Sequence, residues 1–447
     1  MGGMEEWAAA RNRGPGKESR MEQRKTTWRT VAAIAGAAAL VIGACSSPSG
    51  SGGAGKSVTV IGTWGGDEEK AFKAMVAPWE KETGNTVKYT GTRDINAILT
   101  TGVASGVLPD LAGLPGPGQM VEFAKGGSLK PLDDVLDIAK YKEETAPALV
   151  ALGTVDGKVS GVFIKAAVKG LIWYSPKAHD YSSAPPATWD DLLTQAKANQ
   201  GDAKAIWCVG LESGAATGWP GTDWLEDIVL RTAGPDKYAE WWQGKLKFSS
   251  PEIKSAFEKF GDVIKDSNGG ANTVLSTAFQ EGGDGLFTTP PGCEFHHQAS
   301  FITGLGKFKD AKAGTDYNFF PFPDIDPQYS GSVEGAGDLF GMFHDTAEAK
   351  SLMKYLVTAP AQDIWVKLGG ALSANKNATS YPDDIAKRSA ELLAGAKNFA
   401  FDASDLMPTA MQAALLTGIV DYTKDPSKLD SILETLDKAQ TDAYGGG

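Results

Sequence analysis

Apolar and polar positions change period repeatedly along this chain, and each change marks an element. Ser57–Ile61 (SVTVI) reads as a strand, and over Asp67–Glu82 the apolar residues Phe72, Met75, Val76 and Trp79 then recur at helical spacing. Thr86–Tyr89 predicts a second strand. Ile95, Ile98, Leu99 and Val103 predict a second helix, and Pro109–Ala112 leads into a third strand. Strand and helix in turn predict an α/β layer. Asp156-Gly157 carries a hairpin signal, and the run Gly161–Ser175 that follows is apolar except for Lys165 and Lys169. Either those lysines face a solvent cleft or the run is an edge strand guarded by charge. Farther on, Ala205–Gly210 reads as a strand. Ser250-Pro251 opens a helix whose buried face is Ile253, Phe257, Phe260 and Ile264. Phe319–Pro323 (FFPFP) is an extended piece suited to crossing between domains, and Val333–His344 starts a glycine-tipped strand pair. Helices are expected around 382–395, 406–418 and 427–440.

The N-terminal segment stands apart from this pattern. Arg24, Lys25 and Arg29 precede Val31–Ala44, an uncharged run too short for an ordinary membrane span. The run ends in Ile42-Gly43-Ala44-Cys45, a box that resembles the bacterial lipoprotein signal. That resemblance implies cleavage before Cys45 and lipid on its thiol; the competing reading is a plain secretory signal with an incidental cysteine. Residues 1–44 are therefore set aside as signal peptide and upstream extension, and 45–56, which include SSPSGSGGAG, as a flexible tether. The remainder is long enough for two domains. Net charge is −12 for the whole chain, and the leader is basic, so the rest is more acidic still. This argues against nucleic acid and against a surface that hugs anionic lipid. Cys208 and Cys293 are an even pair in an oxidising compartment, which makes a disulfide the expectation, with buried thiols or a metal pair as alternatives. Only four His are present, and His296-His297 have no HExxH or CxxC company, so no metal is expected.

Two stretches carry candidate chemistry. Trp64-Gly65-Gly66-Asp67 places glycines, free first-turn N–H groups and an indole at a strand-to-helix junction, either a ligand site or a tight turn with a core Trp. No GK[ST] follows and no GxGxxG stands in context, so no nucleotide cofactor is expected. Trp219–Trp224 (WPGTDW) combines two indoles with Asp223. This mixture suits a hydroxyl-rich ligand, although Asp223 as a simple helix-capping residue competes. Arg93 follows a strand end, and Glu334 and Asp338 flank a glycine-rich tip. Glu212, Asp223, Glu334 and Asp338 would supply a glycosidase carboxyl pair, but their separation is invisible in sequence and GxSxG is absent.

The segments GTWGGDEEKAF (62–72), GTRDINAIL (91–99), LPDLAGLPGPG (108–118), GVFIKAAVKGLIWYSPKA (161–178), WCVGLESGAATGWPGTDWLEDIVLRTAGP (207–235) and TTPPGCEFHHQASFI (288–302) resemble the extracellular solute-binding lipoproteins of carbohydrate ABC importers (family 1). Within that family the resemblance is nearest to the alpha-glucoside-binding group. It implies an α/β, two-lobed periplasmic-binding-protein-like fold of the maltose-binding type (type II) with three interlobe crossings. The first lobe would be 56–165 with 332–372. The second, helix-rich lobe would be 166–331 with 373–440, and 441–447 would form a disordered tail. The implied ligand set is Trp64, Gly65, Gly66, Asp67, Arg93, Asp110, Lys165, Trp219, Asp223, Glu334, Gly337 and Asp338, with Trp64 and Trp219 as stacking platforms and Cys208–Cys293 as a second-lobe disulfide. The resemblance also implies a monomer that is not an enzyme and has no cofactor. It would be lipid-anchored on the extracytoplasmic face and would pass a small carbohydrate to a permease driven by a cytoplasmic ATPase. Arg93 and Lys165 leave room for a glucosylated acid such as glucosylglycerate. A glycoside hydrolase or a non-transport carbohydrate-binding surface protein are the alternatives.

Overall fold

Strand β1 (Ser57–Gly62) alternates exposed and buried positions and then buries both faces, as its sequence pattern requires of a strand entering a covered layer. Helix α1 (Gly66–Thr83) follows and buries Ala71, Phe72, Met75, Val76 and Trp79 as one stripe; Gly84, left-handed at φ 71°, ends it. These are the opening elements of a computed structural model that describes residues 55–199 and 203–445. The signal-like leader, Cys45 and nearly all of the tether lie outside the described residues.

Strand β2 (Thr86–Gly91), helix α2 (Ile95–Ser105) and strand β3 (Leu111–Leu114) continue the alternation. The apolar run divides into β4 (Val162–Val168) and β5 (Leu171–Tyr174), which belong to different sheets. Between them Gly170 takes φ 65°, and a Cβ there would come within 2.5 Å of the Asp227 carboxylate; only glycine makes this passage without strain. Strand β6 (Trp207–Cys208), helix α3 (Trp219–Thr232), helix α4 (Pro251–Lys265), strand β7 (Phe295–Gln298), helix α5 (Gly306–Asp310) and strand β8 (Asn318–Pro321) follow. The chain ends with strand β9 (Ser332–Met342), strand β10 (Asn398–Phe401), and helices α6 (Ala403–Leu406), α7 (Thr409–Lys424) and α8 (Leu429–Gly445).

The larger sheet runs β10-β9-β3-β1-β2, with β4 also paired to β9; the smaller runs β8-β5-β7-β6. In the larger, β1 is parallel to β2 and β3, while β9 is antiparallel to β3 and β4 and parallel to β10. Strand β9 is the organising element. Its first residues pair β10, its middle pairs β4 with Asp338 opposite Lys165, and its end pairs β3. Each sheet has its own core. Val58, Phe72, Met75, Phe340, Leu352 and Trp365 fill one, and Leu225, Ile228, Phe257, Phe260, Leu415 and Leu433 another. Each fully buried large side chain contributes roughly 2–3 kcal/mol of transfer free energy. In α4, Ser250 accepts from Ile253 N–H at 3.5 Å and Pro251 takes the first turn, as the sequence predicts. Cys208 and Cys293 are bonded, with Cα atoms 5.4 Å apart, so the disulfide expectation holds.

Two expectations need correction. The expected disordered tail is helical through Gly445. Its last turns are fixed because Gln440 donates to the Leu246 carbonyl at 2.9 Å and the Tyr444 hydroxyl to the Trp242 carbonyl. Residues 398–401, expected in the second lobe, instead extend the larger sheet as β10 by parallel pairing of Ser332–Gly335 with Asn398–Phe401. Of the two readings of the lysines in the apolar run, the structure agrees with the cleft: both line a cavity, though they are buried, at 3% and 6% exposed, against carboxylates.

Candidate functional site

A cavity of about 980 Å³ lies where β1 ends, α1 and α2 begin, and α3 and α7 face them. Carboxyl ends of parallel strands are where α/β sheets present ligands. Seven of the expected residues line the cavity: Trp64, Arg93, Lys165, Trp219, Asp223, Gly337 and Asp338.

Two lysine-centred groups form the charged floor. Lys165, projecting from β4, has its Nζ 2.6 Å from Glu68 Oε1 and 3.8 Å from Asp338 Oδ2, and Arg93 reaches the other Glu68 oxygen at 3.7 Å. The same ammonium lies 4.9 Å from the Trp365 ring and 5.4 Å from that of Phe301. Lys169 sits between Asp223 at 2.7 Å and Asp402 at 2.8 Å, 5.2 Å from the Trp219 ring. Burial works against the Lys169 charge, yet Asp223, Asp402 and further carboxylates hold the ammonium well above its ordinary value. Burial pushes Asp223 up to about 7, with Lys169 pulling the other way. Asp402 is buried too, but Lys169 prevails there and keeps it below the usual carboxylate range. Burial also raises Asp338, opposed by Lys165.

The aromatic wall is Trp219, edge-on to Phe279 at 5.1 Å and inclined to Phe301 at 6.0 Å, with the Arg93 guanidinium 4.8 Å over Phe279. Among the lining residues, Asn96 Oδ1, the Trp219 indole N–H and Asp223 Oδ2 are buried without a protein partner.

Two of these seven, Trp64 and Gly337, have roles other than ligand contact, and the remaining five expected residues lie outside the lining. Trp64 touches the cavity but is only 2% exposed, because it folds back onto Phe72, Phe340 and Trp365 with centroids 5.2, 5.9 and 4.8 Å away. It is floor, not a stacking platform. Gly65, Gly66 and Asp67 stay outside the lining. Nothing lies within 4 Å of a Cβ built on either glycine, and Asp67 is bound to Lys70 and Lys309, each at 2.9 Å. Asp110 precedes β3, away from the strand ends that face the cavity, and accepts from Thr59 N–H and Oγ1–H, both at 2.8 Å. Glu334 is fully buried and outside the lining. At Gly337 a Cβ would come within 2.7 Å of the Lys165 carbonyl, so its small size serves strand pairing.

Sequence reasoning left out Glu68, Lys169, Phe279, Phe301, Asp402 and Asp405, all of which line the cavity. Lys169 alone had a signal, as the second lysine in the apolar run. Glu68 looks like an ordinary acidic first-turn residue, and the rest are brought in by topology.

Residues 74–394 match the family model for bacterial extracellular solute-binding proteins. The chain belongs to that family. Its members are receptors rather than enzymes. The osmoprotective compounds-binding protein GgtB of Synechocystis sp. is 38% identical over 377 residues, 82% of this chain and 88% of the relative. The alpha-glucosides-binding periplasmic protein AglE of Rhizobium meliloti is 34% identical over 392 residues, 84% of this chain and 85% of the relative. Among solved structures, a chitin oligosaccharide binding protein superposes with TM-score 0.75 at 20% identity, covering 88% of this chain and 100% of that one. The bacterial solute receptor AcbH also reaches TM-score 0.75, at 19% identity, covering 87% and 99%. This solute-binding protein therefore has the two-lobed, type II periplasmic-binding-protein fold. Among the described residues no helix is long and apolar enough to cross a membrane.

Proposed function

We propose that this solute-binding protein is the receptor of a sugar-importing ABC transporter and captures an alpha-glucoside or a similar small glycoside between its lobes. The observation that carries the reading is the aromatic wall of Trp219, Phe279 and Phe301 set beside the charged groups Arg93, Lys165 and Asp338 in one cavity. Sugars offer the matching surfaces, apolar ring faces and hydroxyls that both donate and accept. The likeness to proteins named for alpha-glucosides and for osmoprotective compounds supports this class. The cavity's cations favour a neutral ligand over a glucosylated acid: Arg93, Lys165, Lys169 and Lys424 each already face a carboxylate. Ligand contacts to both lobes would stabilise the closed form, which is the form a permease distinguishes. A lipid on Cys45 would hold the receptor at the extracytoplasmic membrane face, since two or three acyl chains anchor firmly where one does not.

Calorimetry with trehalose, maltose, sucrose, glucosylglycerol and glucosylglycerate tests the reading. One neutral glucoside should bind without turnover. Trp219→Ala should weaken that binding by about tenfold or more while the unliganded melting temperature stays near the parent's. Equal affinity in variant and parent removes Trp219 from the site. No heat from any glucoside refutes the ligand class.

A further inference from the structure

At the Lys169 side of the cavity floor and beneath it, four carboxyl groups from separate stretches converge around a single lysine. Asp223 and Glu226 stand one turn apart on α3, Glu334 lies on β9, and Asp402 immediately precedes α6. One oxygen from each falls within 4.8 Å of all the others, and no member is more than 2% exposed. Among the described residues, Lys169 is the one cation bonded into the group, through Asp223 Oδ1 and Asp402 Oδ2. The neighbouring Arg231 and His297 are bound to Asp227, at 2.5 and 2.7 Å. Neutral donors meet part of the remaining demand. Glu226 accepts from the Ala403 and Ser404 N–H groups at 3.2 and 3.1 Å, and Asp402 from Ser404 Oγ–H and Asp405 N–H at 2.8 and 3.1 Å. Asp223 Oδ2 and both oxygens of Glu334 receive no N–H or hydroxyl donor from the protein, and the carboxyl within reach of Glu334 is that of Glu226, which bonds to it only when one of the two is protonated. A buried carboxylate without a partner is among the costliest arrangements in a protein interior.

We propose that this cluster binds a divalent cation, calcium by preference. A donor set made only of carboxylate oxygens suits a hard cation. Calcium accepts six to eight oxygens in flexible geometry, with carboxylates bound through one or both atoms. Magnesium holds its waters and demands a strict octahedron, which a closed site this dry does not offer. With the four acids ionised and Lys169 charged, a divalent ion brings the group close to neutral. The ion would tie α3, β9 and the start of α6 together. These elements supply Trp219, Asp338 and Asp402 to the cavity, so the site would brace the ligand wall from behind. The inference is independent of which sugar binds.

The full chain, stripped with EDTA and exchanged into metal-free buffer without sugar, is titrated with CaCl2 by calorimetry and melted in CaCl2, MgCl2 or EGTA. The expected result is one calcium per chain, a melting temperature raised by calcium over EGTA, and a smaller response to magnesium. Glu334→Gln should weaken calcium binding about tenfold or more without lowering the melting temperature in EGTA, because the unpartnered charge is gone. Asp110→Asn, which alters a carboxylate bonded to Thr59, should bind calcium like the parent. A parent with no calcium heat and identical melting in calcium and EGTA overturns the proposal, whatever its sugar affinity, and assigns the balance to protons instead. Should the Gln variant fail to fold, the parent titration decides alone.

Discussion

Replacing Lys169 by methionine isolates what one buried charge does in this protein. Methionine keeps most of the apolar stem, so packing changes little. The ammonium is lost, leaving Asp223 and Asp402, each 2% exposed, without the partner now 2.7 and 2.8 Å away. Breaking a buried pair from one side costs about 3–5 kcal/mol. The described chain of about 390 residues has an unfolding entropy near 0.8 kcal/mol per degree, so the loss corresponds to about 4–6 °C in melting temperature. The pH dependence follows from the signs. Lys169 holds Asp402 below its ordinary value and restrains Asp223, which burial has pushed up to about 7. Without the lysine, only the Ser404 and Asp405 donors to Asp402 still oppose burial, so both carboxyls shift upward. A group raised in this way destabilises above its folded pKa, and the penalty fades as falling pH protonates it. The gap between parent and variant should therefore be widest near about pH 8 and close toward about pH 5. Calorimetric melting at both pH values, in EGTA so that no cation substitutes for the lysine, measures it. A gap below about one degree at the higher pH, or one that does not change with pH, refutes the electrostatic account.

Removing the disulfide as Cys208→Ala/Cys293→Ala opens a loop of 85 residues, worth about 4–5 kcal/mol in the chain-entropy model. A drop of about 5 °C is expected, with reductant lowering the parent's melting temperature and leaving the variant's unchanged. His296 is fully buried and its Nδ1–H donates to the Cys208 carbonyl at 2.9 Å. Burial lowers its pKa to about 4. A depressed folded value means stability that is complete above about pH 6.5 and is lost as pH falls toward about 4, by about 3 kcal/mol. Urea unfolding at about pH 7 and 4.5 should show this acid limb in the parent and a flatter one in His296→Gln.

The fold was legible where local pattern and burial coincide. The period change from β1 to α1, the Ser-Pro cap of α4 and its four apolar positions are all written locally, and the cysteines were paired by number and compartment. The charged floor was half legible. Lys165 and Lys169 interrupt an apolar run too conspicuously to be incidental, yet whether they met solvent or carboxylate depended on β9 and α3, far away in sequence. For Trp64 the residues left a ligand site and a core Trp both open, because a Gly-Gly turn says nothing of which way the preceding indole turns; Phe72, Phe340 and Trp365 draw it inward, against the stacking role the resemblance implies. Asp110 was implied by the resemblance alone, and it sits before β3, at the end of the strand opposite the cavity. Glu226, Asp402 and Asp405 carry no motif, and their convergence is a product of topology alone.

The bond between Asp67 on α1 and Lys309 on α5, 2.9 Å long with both side chains partly in solvent, joins an element of the larger sheet's side to one of the smaller's. Screening acts strongly on such an exposed pair: the Debye length falls from about 8 Å at physiological salt to about 3 Å at 1 M. The Lys165–Glu68 and Lys169–Asp223 pairs lie too deep to be affected equally. High salt is therefore expected to weaken this exposed tie between the two sheets' sides while leaving the buried pairs of the cavity floor intact.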